Sequence, residues 1–164
     1  MKITSFTQDS GESAILSVMR TVIQRVSEAS VTIDGRVHGA IGTGYMILVG
    51  ITHEDTEKEV MRMADKIEKL RIFTDADDKM NLSLKQVDGA ILSISQFTLY
   101  ADCRKGNRPS FGYKVERAEE LYLFFNEYMR KKGIQVEEGI FGADMKVRLL
   151  NDGPVTIVLD SADL

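Results

Sequence analysis

Residues 19–33, Met19-Arg20-Thr21-Val22-Ile23-Gln24-Arg25-Val26-Ser27-Glu28-Ala29-Ser30-Val31-Thr32-Ile33, followed by Asp34-Gly35, decide the fold. β-branched residues alternate with polar ones in Thr21–Val26 and again in Ala29–Ile33, which predicts two strand runs. Asp34-Gly35 supplies the two positions of positive φ that a tight hairpin turn requires, so a partner strand is expected over Arg36–Ile41. Outward from this hairpin, Tyr45-Met46-Ile47-Leu48-Val49-Gly50 and Ala90-Ile91-Leu92-Ser93-Ile94-Ser95 read as buried strands. Three further strands are expected over Ile134–Glu138, Met145–Leu150 and Val155–Leu159.

Helical periodicity occurs twice. Val60, Met63, Ala64, Ile67 and Leu70 form one apolar stripe, with Thr52 or Asp55 as candidate caps. Val115, Ala118, Leu121, Tyr122, Phe125 and Met129 form the second, closed by Lys131, Lys132 and Gly133. Strands lead, helices are few and connections look hairpin-like. The expected fold is α+β, a curved, barrel-like, mainly antiparallel sheet with two main amphipathic helices.

The chain has 164 residues, enough for one domain with a real core without disulfides or a structural metal. Residues 19–164 are read as that domain and 1–18 as an N-terminal extension, because the strong pattern starts only at Met19. Only two prolines and no low-complexity tract argue against disorder. No apolar run approaches the ~20 residues that span a bilayer, and the first residues lack a secretory pattern. With one cysteine, Cys103, a cytoplasmic protein is expected. A net charge of −4 means that the whole-molecule field does not attract polyanions, so any nucleic-acid contact must be local.

Several features carry a possible chemistry and a plainer alternative. The glycines Gly39, Gly42 and Gly44 are followed by no helix, which argues against a phosphate loop. The acidic stretch Thr74–Lys79 lacks the closing glutamate of a calcium loop and reads as a solvated turn. His38 and His53 both lie far in sequence from Cys103, and a structural histidine or incidental thiol is the simpler reading. Two segments stand out. In Ser95-Gln96-Phe97-Thr98-Leu99, hydroxyls and an amide gather at the end of a buried strand. In Asn151-Asp152-Gly153-Pro154-Val155-Thr156, a Gly-Pro pair separates two β-rich runs; it reads as a turn, and it permits a cis peptide with two carbonyls facing one way. The loop Arg104-Lys105-Gly106-Asn107-Arg108-Pro109 places three cations within six residues of an acidic protein, a candidate for phosphate contact.

From Met19 to nearly the end, the chain resembles the D-aminoacyl-tRNA deacylases. The resemblance rests on five segments in order: Met19–Val26, Ser95–Leu99, Lys105–Phe111, Gly139-Ile140-Phe141-Gly142-Ala143-Asp144-Met145, and Asn151–Thr156. It implies a homodimeric hydrolase that cleaves the ester joining a D-amino acid to the terminal adenosine of tRNA, with no membrane or DNA partner. It further implies that Ser95, Gln96, Phe97 and Thr98 floor the pocket. Gly153-Pro154, in the cis form, reaches into the partner subunit's pocket, and Arg25 holds that element. The stretch between Phe111 and Val115 is shorter than the family's, and Cys103 stands where threonine is frequent.

No motif residue is an obvious general base. Thr98 as nucleophile would need an activator that the sequence does not supply. The preferred expectation is substrate assistance: the vicinal ribose hydroxyl relays protons while backbone N–H groups of Phe97 and Thr98 stabilise the oxyanion. Sparing L esters by ~10⁴ needs about 5.5 kcal/mol of discrimination, more than one lost methyl contact supplies. A rigid backbone wall at Gly153-Pro154 is the expected source, and glycyl-tRNA should escape it. Weak tRNA contact falls to Arg104, Lys105 and Arg108, and neither metal nor cofactor is expected. Two rivals remain: a non-catalytic dimeric binding module for D-amino acids or nucleotide ends, and a Cys103-dependent amide or thioester hydrolase.

Overall fold

The computed structural model describes residues 18–164; the extension read ahead of Met19 therefore lies, up to Ser17, outside the described residues. Strand β1 (Arg20–Ile33) is one continuous strand, where the sequence suggested two runs. At Asp34-Gly35 both φ values are positive, 50° and 76°, and the chain returns antiparallel as β2 (Arg36–Ile41). The first half of β1 pairs on the same side with β3 (Gly44–Gly50), also antiparallel.

From β3 onward the connections change character. Helix α1 (Glu57–Lys69) carries the chain across to β6 (Ala90–Ser95), which lies parallel to β3. The short pair β4 (Phe73–Thr74) and β5 (Met80–Leu82) interrupts this crossover, with the acidic turn between them. Helix α2 (Ala118–Lys131) makes the second crossover, to β7 (Val136–Glu138), parallel to β6. Thus two ladders are parallel in a sheet otherwise antiparallel. Parallel neighbours buried on both faces explain the apolar run of β3 and that of β6, which Ser93 interrupts.

The sheet curls until β2 meets β7: the His38 Nδ1 lies 2.9 Å from the Glu138 carbonyl oxygen. Alternation divides two cores. Val26, Ala29, Val31, Met46, Leu92 and Ile94 fill the inside of the curl. Tyr45, Ile47, Val49 and Ile91 face outward onto α1 and α2. No helix among the described residues is long and apolar enough to cross a membrane.

Two local expectations are corrected. Helix α1 is capped by Thr56, in a capping box with Glu59, and not by Thr52 or Asp55. Asp55 is buried and accepts N–H bonds from Met19 and Thr52, fastening the start of β1 from 36 positions away. Asn151–Thr156 is not a turn between two strands. It lies within the single strand β8 (Lys146–Asp160), which runs antiparallel along all of β1. The register passes from Gln24 opposite Thr156 to Val26 opposite Asn151, so residues 152–155 bulge out of the ladder.

Candidate active site

Strand β6 enters the core as Ala90-Ile91-Leu92-Ser93-Ile94 and meets solvent at Ser95, where the sequence turns polar. The Gln96 N–H donates to the Val49 carbonyl at 2.8 Å, the last tie to β3. A single 3₁₀ turn, Phe97–Tyr100, follows. The Tyr100 ring anchors its far end on Gly50, where a Cβ would come within 2.8 Å of the ring. The Tyr100 hydroxyl donates to the Val18 carbonyl at 2.7 Å and accepts the Arg20 N–H at 3.1 Å. Burial pushes this phenol's pKa up.

As at any helix start, the first N–H groups of this turn lack intrahelical partners. Those of Phe97 and Thr98 have no acceptor among the described residues. The Gln96 side-chain amide donates to the Thr98 hydroxyl at 2.5 Å. An amide is no base, and among the described residues no carboxylate or imidazole bonds to Thr98.

Ser95, Gln96 and Phe97 line a cavity of about 250 Å³ whose other walls include Ile51, Ile94, Tyr122, Phe141 and Met145. Thr98 stands just beside it, exposed. A second cavity, about 590 Å³, shares Phe97, Phe141, Ile51 and Ala118 with the first. It is lined further by His53, Tyr100, Phe111 and Tyr113. Phe97, 67% exposed, meets Phe111 edge-to-face with ring centroids 5.1 Å apart.

Sequence reasoning missed the Phe141 wall and the aromatic rim, because residues far apart in the chain build them. One signal was available: Phe141 sits within Gly139-Ile140-Phe141-Gly142, and Gly142 adopts φ 77°. Such punctuation presents an aromatic ring at a bend.

Gly153, Pro154 and Arg25 line neither cavity of their own chain. The Gly153-Pro154 peptide is cis, and both residues are exposed at the tip of the β8 bulge. Arg25 is 7% exposed and ties the bulge to the body. Its Nε donates to the Asp152 carbonyl at 3.0 Å and its Nη1 to the Ile72 carbonyl at 2.7 Å. Asn151 closes the base of the bulge: its Nδ2 donates to the carbonyls of Arg25, at 2.9 Å, and Val155, at 3.0 Å. Gly153 has φ 125°, and a Cβ there would lie 2.9 Å from Arg25 Nη2.

In the basic loop, Arg104 forks onto Asp102, with Nε to Oδ1 at 2.9 Å and Nη2 to Oδ2 at 2.8 Å. That bonding holds the Asp102 carboxyl well below the usual range. Lys105 and Arg108 are exposed and make no hydrogen bond or ion pair among the described residues. Cys103 is exposed, and no group of three or more metal-ligating side chains occurs among the described residues.

The family described as D-Tyr-tRNA(Tyr) deacylase matches over residues 22–160. The chain belongs to that family. It is an enzyme of this hydrolase family, and its similarity to relatives covers nearly the whole described fold. It is 61% identical over 145 residues to a protein of Brevibacillus brevis named D-aminoacyl-tRNA deacylase, covering 87% of this chain and all of that one. A Bacillus thuringiensis protein of the same name is 59% identical over 145 residues, covering 87% and 99%. A solved structure described as "c-Myc DNA Unwinding Element Binding Protein" superposes with TM-score 0.78 at 44% identity, covering 85% of this chain and 97% of that one. Another, described as a "probable eukaryotic D-amino acid tRNA deacylase", gives TM-score 0.75 at 18% identity, covering 87% and 99%, and attests the fold alone.

Proposed function

We propose that the enzyme hydrolyses the ester of D-aminoacyl-tRNA, and that of glycyl-tRNA, within a single deacylase domain spanning residues 19–164. The observation that carries this reading is the pair of unaccepted N–H groups at Phe97 and Thr98 on the rim of an apolar cavity. Both are aimed by a turn locked at each end. Water adds to the ester carbonyl, and the two N–H groups take the developing oxyanion. The carbon–oxygen bond to the ribose then breaks, and the leaving ribose oxygen takes up a proton relayed from the attacking water through the vicinal hydroxyl. The products are a free amino acid and tRNA with an intact terminal ribose. The Thr98 hydroxyl, bonded among the described residues to the Gln96 amide, serves as a positioning hydroxyl and not as the nucleophile.

The two adjoining cavities suit the two halves of the substrate end. The smaller accepts the amino acid. The larger, with Phe97, Phe111 and Tyr113 at its rim, accepts the terminal nucleoside, whose base has flat faces for stacking. Lys105 and Arg108 supply weak, salt-sensitive contact with the acceptor phosphates, in cytoplasmic tRNA turnover.

Chiral selection is assigned to the Gly153-Pro154 element of a second copy of the chain. In its own chain the element lines neither cavity and projects outward from β8. Among the described residues β8 pairs only with β1, which leaves one edge of the 15-residue strand without a partner there, with Leu150 57% and Val158 59% exposed. Such an edge calls for a partner. A homodimer covers it and brings each bulge to the other protomer's pocket. Because the wall is backbone, it excludes an L side chain whatever its identity.

Hydrolysis of matched D- and L-tyrosyl-tRNA by the purified enzyme, with glycyl-tRNA alongside, tests this reading. Release from the D and glycyl esters only is the expected result. Equal release of D and L esters would remove the wall, and binding without release from any ester would leave a binding module.

A further inference from the structure

Helix α2 carries a polar stripe on a face that is otherwise apolar. Leu121, Phe125 and Met129 are fully buried in the core, while Tyr122, Asn126 and Arg130 recur every fourth residue and point at the ends of β6 and β7. The Tyr122 hydroxyl donates to the Ser93 carbonyl at 2.6 Å. Asn126 Nδ2 donates to Glu138 Oε2 at 2.6 Å, and Arg130 Nη2 donates to the Val136 carbonyl at 2.8 Å.

This arrangement carries a desolvation cost. Asn126 and Ser93 are fully buried, and Asn126 Oδ1 and Ser93 Oγ have no partner among the described residues. Apolar side chains would seat the helix without burying orphaned polar atoms. What the stripe supplies is position.

Ser93, opposite Glu138, is the last paired residue between β6 and β7. Beyond it, the β7-facing edge of β6 has lost its ladder, just before Ser95 and the turn that bears the Phe97 and Thr98 N–H groups. The β3-facing edge is secured by the Gln96-to-Val49 bond. On the other edge, the Ser93 carbonyl receives the Tyr122 hydroxyl and, at 3.3 Å, the Gly139 N–H. The Tyr122 ring also packs against Phe141, centroids 6.2 Å apart, and lines the smaller cavity. One side chain therefore registers the cavity floor against its Phe141 wall.

Resting on the deacylase reading above, we propose that Tyr122 is a positioning residue for the hydrolysis. Its hydroxyl fixes the exit of β6, so that the two N–H groups meet the oxyanion rather than merely border the cavity. Small misplacement of such donors is felt in the transition state more than in substrate binding.

The test is Tyr122→Phe, which removes only the hydroxyl and keeps the ring in the cavity wall. The expected result is a roughly tenfold fall in kcat on D-tyrosyl-tRNA with KM within about twofold of the parent. The Kd for a non-hydrolysable amide analogue of 3′-D-tyrosyl-adenosine should stay unchanged, which also reports that the variant is folded. The D-over-L ratio should hold, since the wall lies elsewhere. A kcat within twofold of the parent overturns the proposal, as does a parallel worsening of kcat, KM and analogue affinity, which marks a structural residue. An inactive parent enzyme would overturn the deacylase reading as well, a result distinct from either.

Discussion

The cavity floor at Ser95–Thr98 and the bulge at Asn151–Thr156 both depart from regular strand, yet they are held in opposite ways. The floor leaves a strand buried on both faces, and a backbone bond, a tyrosine ring and core packing lock it. The bulge leaves an edge strand, exposed at its tip, and depends on two side chains, Arg25 and Asn151. A site that stabilises charge needs donors fixed within the body of the protein. On the proposed reading the bulge enters another protomer's pocket, so it has to project, and its stiffness then comes from side chains gripping its base.

Each region yields substitutions whose effects test how it is held. The largest effect is expected at the floor. Phe97 is the first residue of its turn and follows an extended Gln96, so proline fits there and, besides the ring, deletes the N–H proposed to take the oxyanion. Phe97→Ala controls for the lost ring. Relative to it, Phe97→Pro should lower single-turnover hydrolysis of D-tyrosyl-tRNA by a further ~10²-fold or more; equal rates for the two variants would remove this donor from the mechanism.

Next comes the wall. Gly153→Ala places a methyl group at φ 125° and against Arg25, which shifts the tip. The ratio of D to L hydrolysis should fall by roughly 10²-fold, a change of about 2.7 kcal/mol in discrimination. Arg25→Lys keeps the charge but cannot bridge the Asp152 and Ile72 carbonyls with a planar fork. It should cost about 2 kcal/mol in urea-monitored stability and reduce the D-over-L ratio less than Gly153→Ala does. A stability loss with the ratio intact would show that the tip keeps its position without the arginine.

Thr98→Ala should cost about tenfold or less in kcat; a drop of ~10⁴ would restore a threonine nucleophile. The smallest effect concerns neither region. Lys132, the residue that caps the C-terminus of α2, hydrogen-bonds Asp65 and Glu68 of α1, and this bonding lowers both carboxyl pKa values. Their contribution is present above the ordinary carboxylate range and is lost as pH falls through the lowered values. Lys132→Met should therefore flatten the acid limb of the stability profile below about pH 5 and leave the D-over-L ratio unchanged.

Legibility in the sequence followed the locality of the physics. Asp34-Gly35 announced its hairpin because a two-residue φ requirement suffices. The floor was legible as an abrupt change from an apolar run to Ser95-Gln96. The continuity of β8 was not, since a Gly-Pro pair interrupts the strand pattern whether the chain turns or bulges. Only pairing with β1 distinguishes the two. Asp55 is ambiguous for a similar reason: it has a capping residue's chemistry, but its bonds go to Thr52 and to the distant Met19, while the Thr56–Glu59 pair does the capping. The Phe141 wall and the Tyr122 contact join β6, α2 and the loop after β7, and no local spacing encodes them.

Complementation distinguishes a pocket with its floor from one protomer and its wall from the partner from a pocket built within a single chain. Phe97→Pro and Gly153→Ala chains are co-expressed with different tags, and the mixed dimer is isolated and assayed on D- and L-tyrosyl-tRNA. A shared site predicts one fully native pocket per mixed dimer, hence about half the parent rate with the parent's D-over-L ratio. If floor and wall act within one chain, no native pocket forms, and the mixed dimer shows only the leaky ratio of Gly153→Ala.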